Sequence, residues 1–298
     1  MAANSNMENI KVKEDNYKVF ALLSNYLNNA PDFIDKEEID EIAKNSVSYE
    51  YAFSVILAAG FGLDILDNAD DKNLFYNYFN KMFHKLDTTV YYNNPYYKNI
   101  RIPTIKIGGS ELKYETYKPF EGFVCNDIIQ TEKGRQLPQI GFFDREFRFP
   151  AILENGRIWM TITPNEIETM KQAVEAASGN VLAFGLGLGY YPYMVTEKNN
   201  VESITVVESN DDVINLFNEH ILPQFKNGWK IKIIKADAFE YAEKHMADGN
   251  FDFVFTDLWH DVSDGIDMYL KMKEYESLSP DTVFCYWIEK SILCYLPL

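Results

Sequence analysis

The sequence predicts an α/β protein whose C-terminal part forms a doubly wound, mostly parallel sheet, preceded by a helical segment and a small antiparallel β unit. Three observations carry this. From Val181 onward, short apolar strands alternate with helical stretches, which implies parallel pairing with helices on both sheet faces. The first strand runs into VLAFGLGLG, with Gly185, Gly187 and Gly189 at every second position and a plausible helix start at Tyr190. Before residue 100, apolar residues keep a helical period instead.

The chain has 298 residues and 47% apolar residues, enough for a sizeable core. A net charge of −17 argues against a nucleic-acid surface or an anionic membrane and suits a neutral or cationic small-molecule substrate. Cys125, Cys285 and Cys294 form neither a metal-ligand pattern nor a disulfide framework, which fits a reducing, cytoplasmic setting. The N-terminus lacks the apolar centre of a signal peptide. The longest apolar run, Val55 to Leu63, is too short to span a bilayer.

Three segments follow: helical 1–99, antiparallel 100–162, and the alternating part, 163–298. In the first, Val19, Phe20, Leu22, Leu23, Tyr26 and Leu27 form one helical stripe, and Leu74, Phe75, Tyr78, Phe79, Met82, Phe83 and Leu86 another. Both read as packing surfaces. Thr88–Tyr97 breaks the pattern and reads as a loop whose tyrosines cover a seam or line a pocket. Between 100 and 162 the period shifts towards two, and Asn155-Gly156 marks a hairpin with a type I′ turn. Thr163, Pro164 and Glu166 then supply an N-cap, a first-turn proline and a capping box for a helix ending near Gly179.

Strands are expected at Ser203–Val207, Ile231–Lys235, Phe251–Thr256 and Thr282–Ile288. The intervening helices cover about 211–221, 239–246 and 265–277. In such a sheet, ligands bind beyond the carboxyl ends of the strands. There stand the glycines, Glu208, Asp237-Ala238, and Asp257 with Trp259, His260 and Asp261. Bare glycine backbone lets a ligand approach closely. Glu208 can accept from a ribose diol, and Asp237 from the exocyclic amine of a purine. Asp237 is also placed to cap the helix that follows. Asp257 can hold or deprotonate an acceptor amine or hydroxyl, with His260 beside it as acid or base. Tyr190, Tyr191 and Trp259 are candidates for an aromatic wall facing a cation. No metal site is expected, and His84, His220 and His245 receive no role.

The run VVESNDDVINLFNEHILP, then IKIIKADAFEYAEKH, then NFDFVFTDLW, resembles the core of class I S-adenosylmethionine-dependent methyltransferases. It is most similar to the branch that includes spermidine synthase and other polyamine aminopropyltransferases. The resemblance covers about Asn180 to Ile288. It implies a Rossmann-like sheet and S-adenosylmethionine as cofactor. Gly185, Gly187 and Gly189 would face the methionine part, Glu208 the ribose, Asp237 and Ala238 the adenine, and Asp257 the reacting amine.

Several residues depart from that branch. The glycine bend holds only Gly and Leu where the branch has Asp-Gly, and His260 replaces a second aspartate. Asn165–Met170 does not match the acidic entry helix of polyamine synthases. Methyl transfer to a small-molecule acceptor is therefore expected first. Aminopropyl transfer from decarboxylated S-adenosylmethionine is the alternative, and a non-catalytic nucleotide- or partner-binding module the third reading. Only ten residues follow the last expected strand, so the final hairpin of the methyltransferase sheet is not expected. Either the helical part covers the edge, or the sheet differs and the edge is open to self-association as a homo-oligomer.

Overall fold

The structure, a computed structural model, describes residues 2–44 and 47–296. The outermost residues of the first and last expected segments therefore lie outside the described residues. Contacts divide the chain into two compact units, Met1–Thr88 with Thr116–Arg148, and Thr89–Glu115 with Phe149–Leu298.

The first unit is built from the helices Ala2–Asn29, Lys36–Ala43 and Tyr49–Gly60 and a helical run from Ala69 to Met82 that passes through a π-type turn at Phe75–Phe79. They surround a three-stranded sheet in which Gln136–Phe142 pairs antiparallel with Phe123–Gln130 and parallel with Phe83–Lys85. Asp35, Ser48 and Asn68 cap three of the helices by accepting from backbone N–H groups of the first turn. The expected stripes meet in the core: Val19, Leu23, Tyr26, Leu74, Phe75, Tyr78, Phe79 and Met82 are all buried there. Phe53 stacks on Phe142 with ring centroids 4.3 Å apart. Each such side chain contributes about 1.5–3 kcal/mol through burial, so this unit is held by ring packing. No helix among the described residues is long and apolar enough to cross a membrane.

The second unit carries the α/β part. Its parallel strands are β1 (Gly179–Phe184), β2 (Val201–Glu208), β3 (Ile231–Lys235), β4 (Phe253–Thr256) and β5 (Val283–Tyr286). They lie in the order β3-β2-β1-β4-β5, all parallel. The order reverses between β1 and β4, so the ligand crevice of this Rossmann-like sheet belongs at their carboxyl ends. Val181–Phe184 and Phe253–Thr256 are buried, as strands covered on both faces must be. An antiparallel sheet of Ile105–Ile107, Ser110–Tyr117, Phe147–Glu154 and Arg157–Thr161 precedes it. Its last hairpin turns at Asn155 and Gly156, both with positive φ, 51° and 82°, as a type I′ turn requires. The extended segments between 100 and 162 thus fall in two sheets, because Gln136–Phe142 pairs with both Phe123–Gln130 and Phe83–Lys85 in the first unit.

Two expectations need correction. Thr88–Tyr97 is not a loop: it forms the helices Thr88–Tyr92 and Pro95–Asn99. Asn94 accepts from the Tyr96 N–H and Pro95 occupies the first turn, a cap and proline pair that outweighs the run of tyrosines. The last strand stops at Tyr286, two residues early, because Ile288 takes a left-handed conformation at φ 47° and starts the helix Glu289–Tyr295.

Candidate functional site

The site begins where β1 leaves the sheet. Gly185, Gly187 and Gly189 all have positive φ, at 95°, 53° and 73°, which L side chains rarely adopt. Their surroundings differ. A Cβ on Gly185 would lie 2.0 Å from the Asp257 carbonyl oxygen, and one on Gly189 would lie 2.3 Å from the Phe217 ring. These two glycines allow close packing. A Cβ on Gly187 would meet nothing nearer than the Met160 Sδ at 3.7 Å. Here the backbone is bare towards open space. The bend is pinned from behind: the Tyr96 hydroxyl donates to the Leu188 carbonyl at 2.6 Å, and the Asn94 amide donates to the Tyr190 hydroxyl at 3.0 Å.

That open space is a cavity of about 170 Å³ at the carboxyl ends of β1 and β4. Gly185–Leu188 form one wall. Phe255, Asp257, Trp259 and His260 supply another, and Ile158–Ile162 of the hairpin a third. Asn165, Glu166 and Met170 come from the helix Pro164–Ala176; Tyr190, Tyr191 and Trp287 complete the lining. No lysine or arginine takes part.

Asp257 is half-buried in this wall, and no group among the described residues donates to its carboxylate. Burial pushes its pKa up to about 8, and the negative charges of Glu166 and Glu208 push the same way. Glu166 itself is spoken for: it accepts from the Thr161 hydroxyl at 2.8 Å and from the Thr163 N–H at 2.8 Å, closing the capping box. Three further polar atoms in residues of the wall, Asn165 Oδ1, Tyr191 Oη and Trp259 Nε1, are buried with no hydrogen-bond partner. Each costs about 1–3 kcal/mol unless something satisfies it.

The other acids have backbone partners. Glu208 is buried; one carboxylate oxygen accepts from the Leu186 N–H at 3.1 Å, and the other from the Ser209 and Asn210 N–H groups, both at 2.8 Å. It ties the glycine bend to the end of β2. Asp237 is exposed and caps the helix Ala238–His245 by accepting from the Glu240 N–H at 2.9 Å. Asp261 caps the helix Val262–Tyr275 through the Ser263 N–H. These contacts hold its carboxyl below the usual range against the effect of its partial burial, with the nearby His260 adding in the same direction. His260 is exposed, and its ring stacks on Trp159 with centroids 5.6 Å apart.

The structure therefore gathers Gly185, Gly187, Asp257 and His260 around one cavity. Glu208, Asp237 and Ala238 stand at neighbouring strand ends, with Lys235 of β3 in register with Glu208 and the Ala236 N–H donating to the Glu208 carbonyl. They and Gly189 lie outside the cavity lining. Trp159, Met160, Asn165 and Trp287 join the wall without having been singled out by the sequence. Trp287 follows β5, so the strand-end rule applied to that strand would have found it. Trp159 gave no signal beyond its hairpin.

No family model matches the chain, and no curated protein sequence does. Among solved structures, spermidine synthase from Thermotoga maritima matches at 19% identity with a TM-score of 0.33, over 47% of this chain and 53% of that one. A spermidine synthase in complex with the transition-state analogue AdoDATO matches at 20% identity and TM-score 0.32, over 47% and 52%. A protein assigned as an O-methyltransferase from Klebsiella pneumoniae matches at 14% identity and TM-score 0.28, over 36% and 46%. The matched region spans about half the length of the two synthases.

Proposed function

We propose that this chain is an S-adenosylmethionine-dependent transferase that methylates a small-molecule acceptor in a cytoplasmic setting. The observation that carries this reading is the pairing of bare backbone at Gly187 with the unpartnered Asp257 carboxyl across one cavity. The cofactor supplies a methyl group on a sulfonium sulfur. The chain's own residues fit its methionine end, because Gly185–Leu188 present backbone with no side chain in the way at Gly187. Tyr191 and Trp259 bring aromatic rings to the lining, which suit a sulfonium. At the ribose end Glu208 still has acceptor capacity, since a carboxylate offers about four lone-pair sites and the backbone uses three. Asp257, once ionised, is the group able to take a proton from an acceptor hydroxyl or amine. His260 stands at the mouth, where it can pass a proton to solvent.

A second reading is a non-catalytic nucleotide- or partner-binding module. It is favoured by the small cavity and by Glu208 being tied to the bend. Calorimetry with S-adenosylmethionine and S-adenosylhomocysteine, followed by product analysis with candidate acceptors including putrescine, separates the readings. Cofactor binding with methylated product supports the first. An aminopropylated product from decarboxylated cofactor replaces it with the aminopropyltransferase reading, and absence of binding at millimolar ligand removes both.

A further inference from the structure

The glycine bend has little of its own to hold its shape. Gly185, Gly187 and Gly189 lack the side chains that restrict backbone rotation, so ordering them costs more conformational entropy than ordering other residues. Within the bend, the Gly189 N–H donates to the Leu186 carbonyl at 2.9 Å. The neighbouring strand β2 fixes the first half: the Gly185 N–H donates to the Val207 carbonyl at 2.9 Å, and the Leu186 N–H donates to Glu208.

The second half is held from far away in the sequence. The helix Pro95–Asn99 packs against the helix Tyr190–Thr196. Tyr96 is 1% exposed, and its hydroxyl donates to the Leu188 carbonyl at 2.6 Å. Its ring meets Tyr193 edge-on with centroids 5.5 Å apart, so the hydroxyl has little freedom to move. Burial keeps this phenol protonated well above neutral pH, and it stays a donor. Asn99 makes a separate link beyond the bend, from its amide to the Tyr193 hydroxyl at 2.8 Å. Gly187, the residue whose backbone is open to the cavity, thus lies between Leu186, tied to Glu208, and Leu188, tied to Tyr96.

We propose that Tyr96 is a positioning residue for the nucleoside: its hydroxyl and Glu208 clamp the bend on either side of Gly187 and order the backbone there before a ligand arrives. The ordering stands on these contacts alone; its consequence for S-adenosylmethionine rests on the transferase reading. Leu188 is 3% exposed, so without the hydroxyl its carbonyl is left buried with no donor, which favours rotation of that peptide. Binding must then restore the bend, and affinity falls by the free energy of that reordering.

The test compares two variants of the full chain, each at a temperature where its unfolding curve shows folded protein. Tyr96→Phe removes the hydroxyl and keeps the ring. Asn99→Ala removes a link of the same helix that does not touch the bend. Amide hydrogen exchange is measured first, without ligand. In wild type the Gly189 N–H should exchange at least about tenfold more slowly than in an unstructured chain; exchange at the unstructured rate overturns the proposal without any variant. Tyr96→Phe should speed Gly189 roughly threefold to tenfold, while Asn99→Ala leaves it within about twofold. Val206, in the middle of β2, should stay within about twofold in both. Calorimetric titration with S-adenosylhomocysteine should then show roughly tenfold weaker binding for Tyr96→Phe and a change within about twofold for Asn99→Ala. Lowered stability of Tyr96→Phe with normal Gly189 exchange and normal affinity makes Tyr96 a packing residue and overturns the proposal, as do equal effects of the two variants. Wild type that shows no S-adenosylhomocysteine binding ends the transferase reading, while Gly189 exchange still decides whether Tyr96 orders the bend.

Discussion

Glu208 and Asp257 stand at the carboxyl ends of the two strands that flank β1, and their surroundings treat them in opposite ways. Glu208 ends β2 where the chain turns tightly, so three backbone N–H groups point at its carboxylate. Asp257 follows β4 and faces a ring-lined cavity with no donor among the described residues. The same functional group at the same end of the sheet is thus held by backbone donors in one place and left without a donor in the other. The deciding factor is whether free backbone donors lie within reach.

That contrast can be broken most severely at Glu208. Glu208→Ala leaves three N–H groups without their acceptor and should cost roughly 4 kcal/mol in urea unfolding. A loss below about 1 kcal/mol would mean that the bend does not depend on it. Gly185→Ala should cost roughly 3 kcal/mol, because its Cβ would press on the Asp257 carbonyl, which is backbone and cannot turn aside. Gly187→Ala meets only conformational strain, about 1 kcal/mol, and should instead weaken nucleoside binding. Equal costs at the two glycines would contradict the assignment of packing to one and ligand approach to the other.

Asp257 should behave in the opposite sense. Its folded pKa of about 8 lies above the unfolded value of about 3.9. Between the two, the folded state holds a proton that the unfolded state has lost. Stability therefore falls as pH rises from about 4 to about 8 and levels off beyond. Asp257→Asn should remove this slope, so that the variant gains stability relative to wild type as pH rises from about 4 to about 8. Parallel stability profiles for the two proteins would contradict the raised pKa. Under the proposed function, kcat/KM should rise with pH to a plateau above about 8 and fall by orders of magnitude in Asp257→Asn. The smallest effect is expected at Asp237. Asp237→Ala should cost about 1 kcal/mol and Asp237→Asn only a few tenths, because asparagine caps as well as aspartate does.

Much of this was legible along the chain. The left-handed glycines, the Asn155-Gly156 turn and the Thr163–Glu166 capping box are local devices, and local chemistry is enough to read them. The strand ends carrying Glu208 and Asp257 followed from alternation and the rule for open sheets. The wall of the cavity was less legible. Trp159 and Met160 reach it from a hairpin that precedes the sheet, and no spacing in the sequence announces a contact across that separation. The division of labour between Glu208 and Asp257 was hidden for the same reason, since both read as acids after apolar strands. Which of them meets backbone donors depends on how the following turn closes.

A crystal structure grown with S-adenosylhomocysteine gives the most direct test. Ligand density is expected along Gly185–Leu188, with the thioether end towards Asp257 and the ribose within reach of Glu208. Well-ordered protein with the ligand bound elsewhere, or with the bend unoccupied at saturating ligand, would contradict it.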